Sequence, residues 1–303
     1  MQISTSSFYD RSTSLMNKLS AKSDLLQTQI STQTRLQGAA DDVVAYKRLA
    51  GMKQASADDL AYSANIKLGQ SVLAQADSTL DGMSTQLQRA KELAVRAGSD
   101  TLSASDRKVI ATELRSVLDD MAALANTRDM RGQPLFGAAT GDTAVTQASD
   151  GSVTFTGTGE PAPLPIGNGT SIQATDSAQR VFGFTGTDGT ATDVFATVKR
   201  LADALEAGGG MTEAPKAAQD DLSLGQTQLT SARGSLGARA ARLELDADQM
   251  AVAVENREVA RSDLEDTDIT SAIAELQKTI TTLQATQASF TKLSSLSLFD
   301  YLK

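Results

Sequence analysis

Apolar residues recur at helical spacing near both ends of the chain, and a stretch without that spacing separates the two regions. The first region contains, at steps of four or seven, Leu15, Leu19, Leu26 and Ile30. The second contains Ile269, Ile273, Leu276, Ile280, Leu283 and Phe290. Such steps place side chains on one narrow face of a helix. Because a narrow apolar face needs a partner, we expect the terminal segments to pair with each other and with copies of the chain.

Four further helical segments lie between the terminal ones. The longest seam has steps of three and four from Ile66 to Ala97 and stops at Gly98. A third helix is predicted to begin after Ser103, because Ser103 and Asp106 form a capping-box-like pair that can accept from unpaired amides at the helix start. This helix is predicted to end near Asn126. A short helix is predicted over 193–206. A last long one has a heptad repeat, at Leu222, Leu229, Leu236, Leu243 and Met250.

In the region from about 138 to 190, apolar residues no longer recur at helical spacing. The β-prone segments of this region, 153–156 and 181–185, lie among many Gly and Thr residues. The sequence therefore predicts a mainly α fold, an elongated antiparallel helical bundle built from both chain ends, with a small β-rich inserted domain. We expect a terminal helical coiled-coil domain (1–40 and 265–303), a rod of long helices (41–140 and 190–264) and the inserted domain (141–189).

Composition narrows the chemistry that the chain can perform. Its 303 residues include no His and no Cys, which excludes imidazole acid–base catalysis, thiol nucleophiles and zinc sites of the usual kind. We expect no cofactor and no catalysis. The formal charge of −9 disfavours nucleic acid and anionic membranes as partners. The N-terminal residues lack the basic and apolar regions of a secretory signal, so we do not expect Sec-type export.

Three short motifs have both a functional and a structural interpretation. Asp41 and Asp42 are interpreted as a helix cap rather than as paired catalytic carboxylates. The acidic cluster at 263–268 lacks the Gly and the final Glu of a calcium loop. Asn168 begins a glycosylation triplet that can arise by chance, and we expect no modification there. The three Phe residues of the insertion are expected to form its small core, at Phe155, Phe182 and Phe184.

Several segments resemble the flagellin and hook-associated superfamily of bacteria. RLQGAADD (35–42) is similar to the segment that joins the family's terminal and central helices, and TLSASDR (101–107) to the turn before its third helix. ANTRDMRGQPLFG (125–137) resembles the family's hairpin, and DLEDTDI (263–269) its C-terminal acidic element. The tail SLFDYL (297–302) resembles the ending of hook–filament junction members, whereas flagellins usually end in a Gln-rich stretch and a run such as LSLL.

The resemblance implies a structural role in the flagellum. Copies would form a ring between hook-associated protein 1 and the flagellin filament, after unfolded type III export without a cleaved signal peptide. A cytoplasmic export chaperone would cover the C-terminal helix, here 269–290. The predicted assembly interface consists of both terminal apolar stripes and of three tail residues, Leu298, Phe299 and Leu302.

Three other functions remain alternatives to the junction role. The nearest is flagellin itself, the filament subunit. A second is an enzyme whose site lies in the insertion and uses only carboxylates and hydroxyls. No residue pattern in the sequence supports this alternative. A third is a secreted coiled-coil adhesin, for which we find neither a trimeric heptad set nor an anchor.

We expect the terminal segments to fray in the monomer and to become ordered on assembly. The backbone entropy of about two dozen residues exceeds what half a dozen seam side chains return on burial. In hydrogen exchange of dilute monomer, amides of residues 1–35 should exchange rapidly, and assembled protein should protect them. Equal protection in both states would contradict this expectation.

Overall fold

A computed structural model of the chain describes residues 5–99, 101–208 and 212–299, and only the backbone for residues 5, 6 and 293–299. Within these residues the fold is mainly α, as predicted. Its helices are α1 (Thr5–Thr32), α2 (Val43–Ala97), α3 (Ala104–Ala125), α4 (Ala178–Phe182), α5 (Val194–Ala207), α6 (Glu213–Glu265) and α7 (Ile269–Phe299). Its short strands are β1 (Val145–Gln147), β2 (Val153–Phe155), β3 (Leu164–Gly167), β4 (Thr170–Ile172), β5 (Gly183–Thr185) and β6 (Ala191–Asp193).

The chain divides into two compact units. The first contains Met1–Asp58 and Val252–Lys303, and the second contains Asp59–Ala251. Helices α2 and α6 contribute residues to both units. These boundaries differ from those of the three domains that the sequence suggests, because each long helix is shared rather than assigned whole to one part.

The core of the second unit forms along the predicted seam of α2. All ten seam positions are buried: Ile66, Gly69, Leu73, Ala76, Leu80, Met83, Leu87, Ala90, Ala94 and Ala97. The apolar faces of α3, α5 and α6 join this seam in one buried cluster. Large residues alternate with Gly and Ala, which lets neighbouring helices approach closely.

Capping side chains begin the helices where the sequence predicts. Ser103 accepts from the Asp106 amide and completes the capping box of α3. Asp193 caps α5 by accepting from the Ala196 amide at 2.8 Å. Asp42 Oδ1 accepts from the amides of Val44 and Ala45 at 3.0 and 2.9 Å and caps α2. These carboxylates and hydroxyls bond first-turn amides that would otherwise lack partners.

The strands form three antiparallel pairs, β1–β2, β3–β4 and β5–β6. The predicted strand at 181–185 is wrong in its first half, because Val181 and Phe182 belong to α4. Phe182 is fully buried, and its ring makes edge contacts with Phe136 and Phe195 at 5.3 and 5.4 Å. Burial of this ring therefore overrides the local preference for a strand.

None of the helices in the described part of the chain has the length and apolarity needed to cross a membrane.

Two glycines of α6 should respond in opposite directions to alanine. A Cβ at Gly225 would lie 2.9 Å from Val194 Cγ1 and 3.3 Å from Phe184 Cε1, whereas a Cβ at Gly234 meets no atom within 4 Å. We expect Gly234→Ala to stabilise by about 1 kcal/mol through helix propensity. Gly225→Ala should destabilise, because overpacking costs about 1–3 kcal/mol. Thermal unfolding of the two variants checks this, and a rise in Tm for both would contradict the close approach at Gly225.

Candidate functional site

Helices α1 and α7 pack against each other in the first unit. Most partly or fully buried positions of α1 recur in steps of three and four, at Tyr9, Ser12, Met16, Leu19, Ser23, Leu26 and Ile30, and Gln29 next to Ile30 is also partly buried. Those of α7 show the same spacing at Ala272, Leu276, Thr279, Leu283, Thr286 and Phe290, and their neighbours Glu275 and Ile280 are also partly buried. This is the spacing of a two-helix coiled coil. We call these two sets the terminal seam.

Contacts along the pair fix an antiparallel register. At one end, the rings of Tyr9 and Phe290 meet edge to face at 5.2 Å. Further along, Lys22 Nζ donates to Glu275 Oε1 at 2.5 Å, and this cation lowers the pKa of Glu275. Both groups are well exposed, so the ion pair contributes little stability and chiefly indicates which flanks of the helices face each other.

The other end of the pair is held by the two interhelix linkers. The Arg35 amide donates to the Glu265 carbonyl at 2.7 Å, and the Thr267 amide donates to the Gln33 carbonyl at 3.0 Å. Arg35 Nη2 also donates to the Leu264 carbonyl at 2.9 Å. Gln33 has a φ of 59°, the left-handed conformation that commonly ends a helix. We call residues 33–35 and 265–267 the linker bridge. It joins the α1–α2 connection to the α6–α7 connection.

The structure separates the predicted interface residues into two groups. Six belong to the terminal seam: Leu19, Leu26, Ile30, Leu276, Leu283 and Phe290. Leu15, Ile269 and Ile273 are exposed, with 48%, 39% and 42% of their surface accessible, and Ile280 is partly buried. The first group therefore serves pairing within one copy. Leu15, Ile269 and Ile273 remain accessible, and Ile280 lies beside the seam and is only partly covered.

The predicted tail residues fall at or beyond the limit of the described side chains. For Leu298 and Phe299 only the helical backbone is described, and Leu302 lies outside the described residues.

Several seam and surface positions were not identified from the apolar pattern. Tyr9, Thr279 and Ala272 belong to the seam, and Phe8 and Leu25 are exposed at 39% and 40%. A heptad count that accepts Ser, Thr and Ala at seam positions would have found Ala272 and Thr279, and it would have continued through Ser12 to Tyr9.

Threonine hydroxyls of both terminal helices are bonded within their own helix. Each donates to the carbonyl four residues earlier, at 2.7–3.0 Å: Thr28, Thr32, Thr279, Thr281, Thr282, Thr286 and Thr291. Because such a hydroxyl already donates a hydrogen bond, another protein surface can cover it without leaving a buried donor unsatisfied. The five of these threonines outside the terminal seam therefore form polar faces suited to contact with a neighbouring molecule: Thr28, Thr32, Thr281, Thr282 and Thr291.

Charged side chains are sparse on α7. Helix α7 has three among its 31 residues, Glu275, Lys278 and Lys292, although 21% of the whole chain is charged. Helix α1 has five, which are Asp10, Arg11, Lys18, Lys22 and Asp24. The few charges of α7 lower the desolvation penalty of packing this helix against other protein surfaces.

The acidic residues that suggested a catalytic pair or a calcium loop have structural partners. Asp41 Oδ2 accepts from the amides of Gln37 and Gly38 at 2.8 and 3.0 Å, next to the cap formed by Asp42. Glu265 pairs with Lys53 and Arg261 at 3.1 and 3.0 Å. Among the described residues, no group of three or more acidic side chains is arranged to hold a metal ion.

Comparison with known proteins assigns this architecture to a family. The model of the bacterial flagellin N-terminal helical region matches residues 3–141, and that of the flagellin C-terminal helical region matches residues 224–302. The chain belongs to the flagellin family, whose members are structural proteins of the flagellum and not enzymes.

Within this family the chain is similar to flagellar hook-associated protein 3. It is 27% identical to that protein of Escherichia coli over the full length of both chains. It is 32% identical to that of Salmonella typhimurium over 45% of this chain, a match that spans only 43% of the relative. A solved flagellar hook-associated protein of Vibrio parahaemolyticus shares the fold, with a TM-score of 0.66, 19% identity, and coverage of 75% of this chain and all of that one.

The cap of α7 should make the first turn of this helix sensitive to pH. Asp268 Oδ1 accepts from the amides of Thr270 and Ser271, and Oδ2 accepts from the Ser271 hydroxyl. The Ser271 hydroxyl and these amides lower the pKa of Asp268. Its stabilisation is therefore present above the ordinary carboxyl pKa of about 4 and is lost as pH falls through the lowered value.

Asp268→Ala should speed amide exchange over residues 270–275 at neutral pH and should remove the acid sensitivity of these amides. Asp263→Ala is the matched control, because Asp263 is exposed on α6. Equal exchange in the two variants would contradict a capping role.

Proposed function

We propose that the chain is a structural subunit of the hook–filament junction, which forms a ring between hook-associated protein 1 and the flagellin filament. The observation that carries this proposal is the α1–α7 pair, in which both ends of the chain form one helical unit with apolar residues still exposed. The similarity to hook-associated protein 3 over the whole chain supports the junction role within the family.

The proposed assembly surface is the accessible part of the terminal pair. Its apolar members are Leu15, Ile269, Ile273 and Ile280, together with the tail residues predicted from sequence. The satisfied threonine hydroxyls and the low charge of α7 support burial of this surface in an assembly. On this proposal the terminal segments, 1–40 and 265–303, act as the assembly domain, and residues 41–264 act as the rod with its insertion.

We further propose that the protein works in the extracellular flagellum and leaves the cell through the flagellar type III pathway without a cleaved signal peptide. A cytoplasmic chaperone would bind residues 269–290 before export. Separated from α1, this segment exposes the apolar side chains of its seam, including Leu276, Leu283 and Phe290, and such a surface needs cover in the cytoplasm.

The second candidate is a flagellin filament subunit. The matches to both flagellin helical regions favour it, because these regions define the family as a whole. The two functions differ in self-assembly, since a filament subunit polymerises with its own kind and a junction subunit stops at a ring.

Deletion and complementation in the source bacterium test the junction role. Without this chain, flagellin should be secreted as monomers and cells should lose motility, because filaments lack their attachment layer. A plasmid copy should restore both, and a copy with Leu15→Glu and Ile273→Glu should be exported at normal levels but should fail to restore filaments.

Purified protein provides the second arm of this test. It should form no long filaments alone at concentrations at which flagellin does. Long filaments from the chain by itself would favour the flagellin candidate, and normal motility of the deletion strain would overturn both.

A further inference from the structure

The terminal pair has two flanks, one on each side of its seam. On α1, Phe8 and Leu15 directly precede the seam residues Tyr9 and Met16, and Lys22 continues this line one heptad further. Because residues that precede these seam positions share one flank, the three side chains lie along one side of the pair. The bond from Lys22 to Glu275 shows that this side of α1 adjoins the Glu275 side of α7.

Two isoleucines of α7, the exposed Ile273 and the partly buried Ile280, lie on the opposite flank. Ile273 and Ile280 directly follow the seam residues Ala272 and Thr279, whereas Glu275 precedes the seam residue Leu276. In an antiparallel pair, like flanks of the two helices adjoin each other. The pair therefore has one apolar strip on each side, the first from α1 and the second from α7.

The charges of α1 divide between the same two flanks. Arg11 and Lys18 lie three residues after Phe8 and Leu15, so they border the first strip, as does Lys22. Asp10 and Asp24 fall on the other side of the helix.

Helix α7 adds Lys278 to the first flank, where Glu275 is already paired with Lys22. We call this flank, with Phe8 and Leu15, the basic flank. The flank with Ile273, Ile280 and the two aspartates of α1 is the acidic flank.

The apolar residues of the two flanks lie at similar positions along the axis of the pair. The contacts of Tyr9 with Phe290 and of Lys22 with Glu275 place Ile280 within about one helical turn of Leu15 along the axis. By the same register, Ile273 lies level with Leu25, which borders the basic flank. A second copy placed beside the first without an axial shift would bring apolar side chains together and aspartates near cations.

We infer that the basic flank of one copy docks on the acidic flank of a second copy of this chain. This inference rests on the proposed function and specifies its contact. Two basic flanks placed face to face would repel, so the charge pattern disfavours a two-fold dimer. A contact between different surfaces leaves a free flank on each partner, and such contacts extend into rings or helical arrays.

Cysteine cross-linking in isolated flagella tests the contact, and the chain has no native Cys to interfere. The variant with Leu15→Cys and Ile280→Cys, supplied as the sole copy, should give a ladder of disulfide-linked multimers on oxidation. Leu15→Cys alone and Ile280→Cys alone are the matched controls and should remain monomeric. If the double variant fails to assemble, co-expression of the two single variants should give one mixed dimer.

The outcomes separate this inference from the proposed function. Dimers from either single variant would indicate like flanks in contact and overturn the inference. Assembled flagella that contain the double variant without any cross-link would overturn it as well, while the junction role stands. Absence of the wild-type chain from flagella would overturn both.

Charge exchange gives an independent measurement. Lys18→Glu and Asp24→Lys should each lower incorporation into flagella several-fold, and their combination should recover part of it, because the two positions lie about 9 Å apart along the helix axis. No effect of either change would contradict docking through these flanks.

Discussion

Antiparallel packing of α1 against α7 is the interaction on which the first unit depends. Neither helix has another long neighbour among its strong contacts in the described chain, so each covers the other's seam. The linker bridge fixes where this pairing starts, since two backbone hydrogen bonds join residues that precede α2 and α7. Once that point is set, the heptad spacing determines which side chains meet along the remaining length.

As a consequence of this geometry, the apolar residues of the two helices fall into two sets, one buried between the helices and one exposed. Leu19, Leu26 and Phe290 hold the two helices of one copy together, whereas Leu15 and Ile273 remain accessible. Helix α7 carries few charges, and both helices satisfy their hydroxyls internally. A surface with these properties can be covered by protein at a lower desolvation cost than a charged one. The terminal pair thus combines an internal seam with a surface suited to further contacts.

Much of the helical framework could be predicted from the sequence because it depends on local signals. The Asp42 cap, the Ser103 capping box and the α2 seam follow from residue type and spacing. The terminal seam was only partly predicted, because Ser23 and Thr279 interrupt the apolar pattern while still lying at the contact. Leu15 shares the spacing of Leu19 yet lies beside the seam, a distinction that requires the partner helix. Val181 and Phe182 adopted a helix through burial against distant aromatic rings, which no local pattern contains.

Construction of the first unit from segments far apart in sequence also determines when it can form. Roughly 240 residues separate α1 from α7, and the ribosome completes α1 long before its partner exists. A nascent or truncated product therefore lacks the cover for Leu19 and Leu26, and closing so large a loop is entropically costly. Only a polypeptide that contains both helices can form this unit, so a fragment that ends before α7 cannot make the α1–α7 pair.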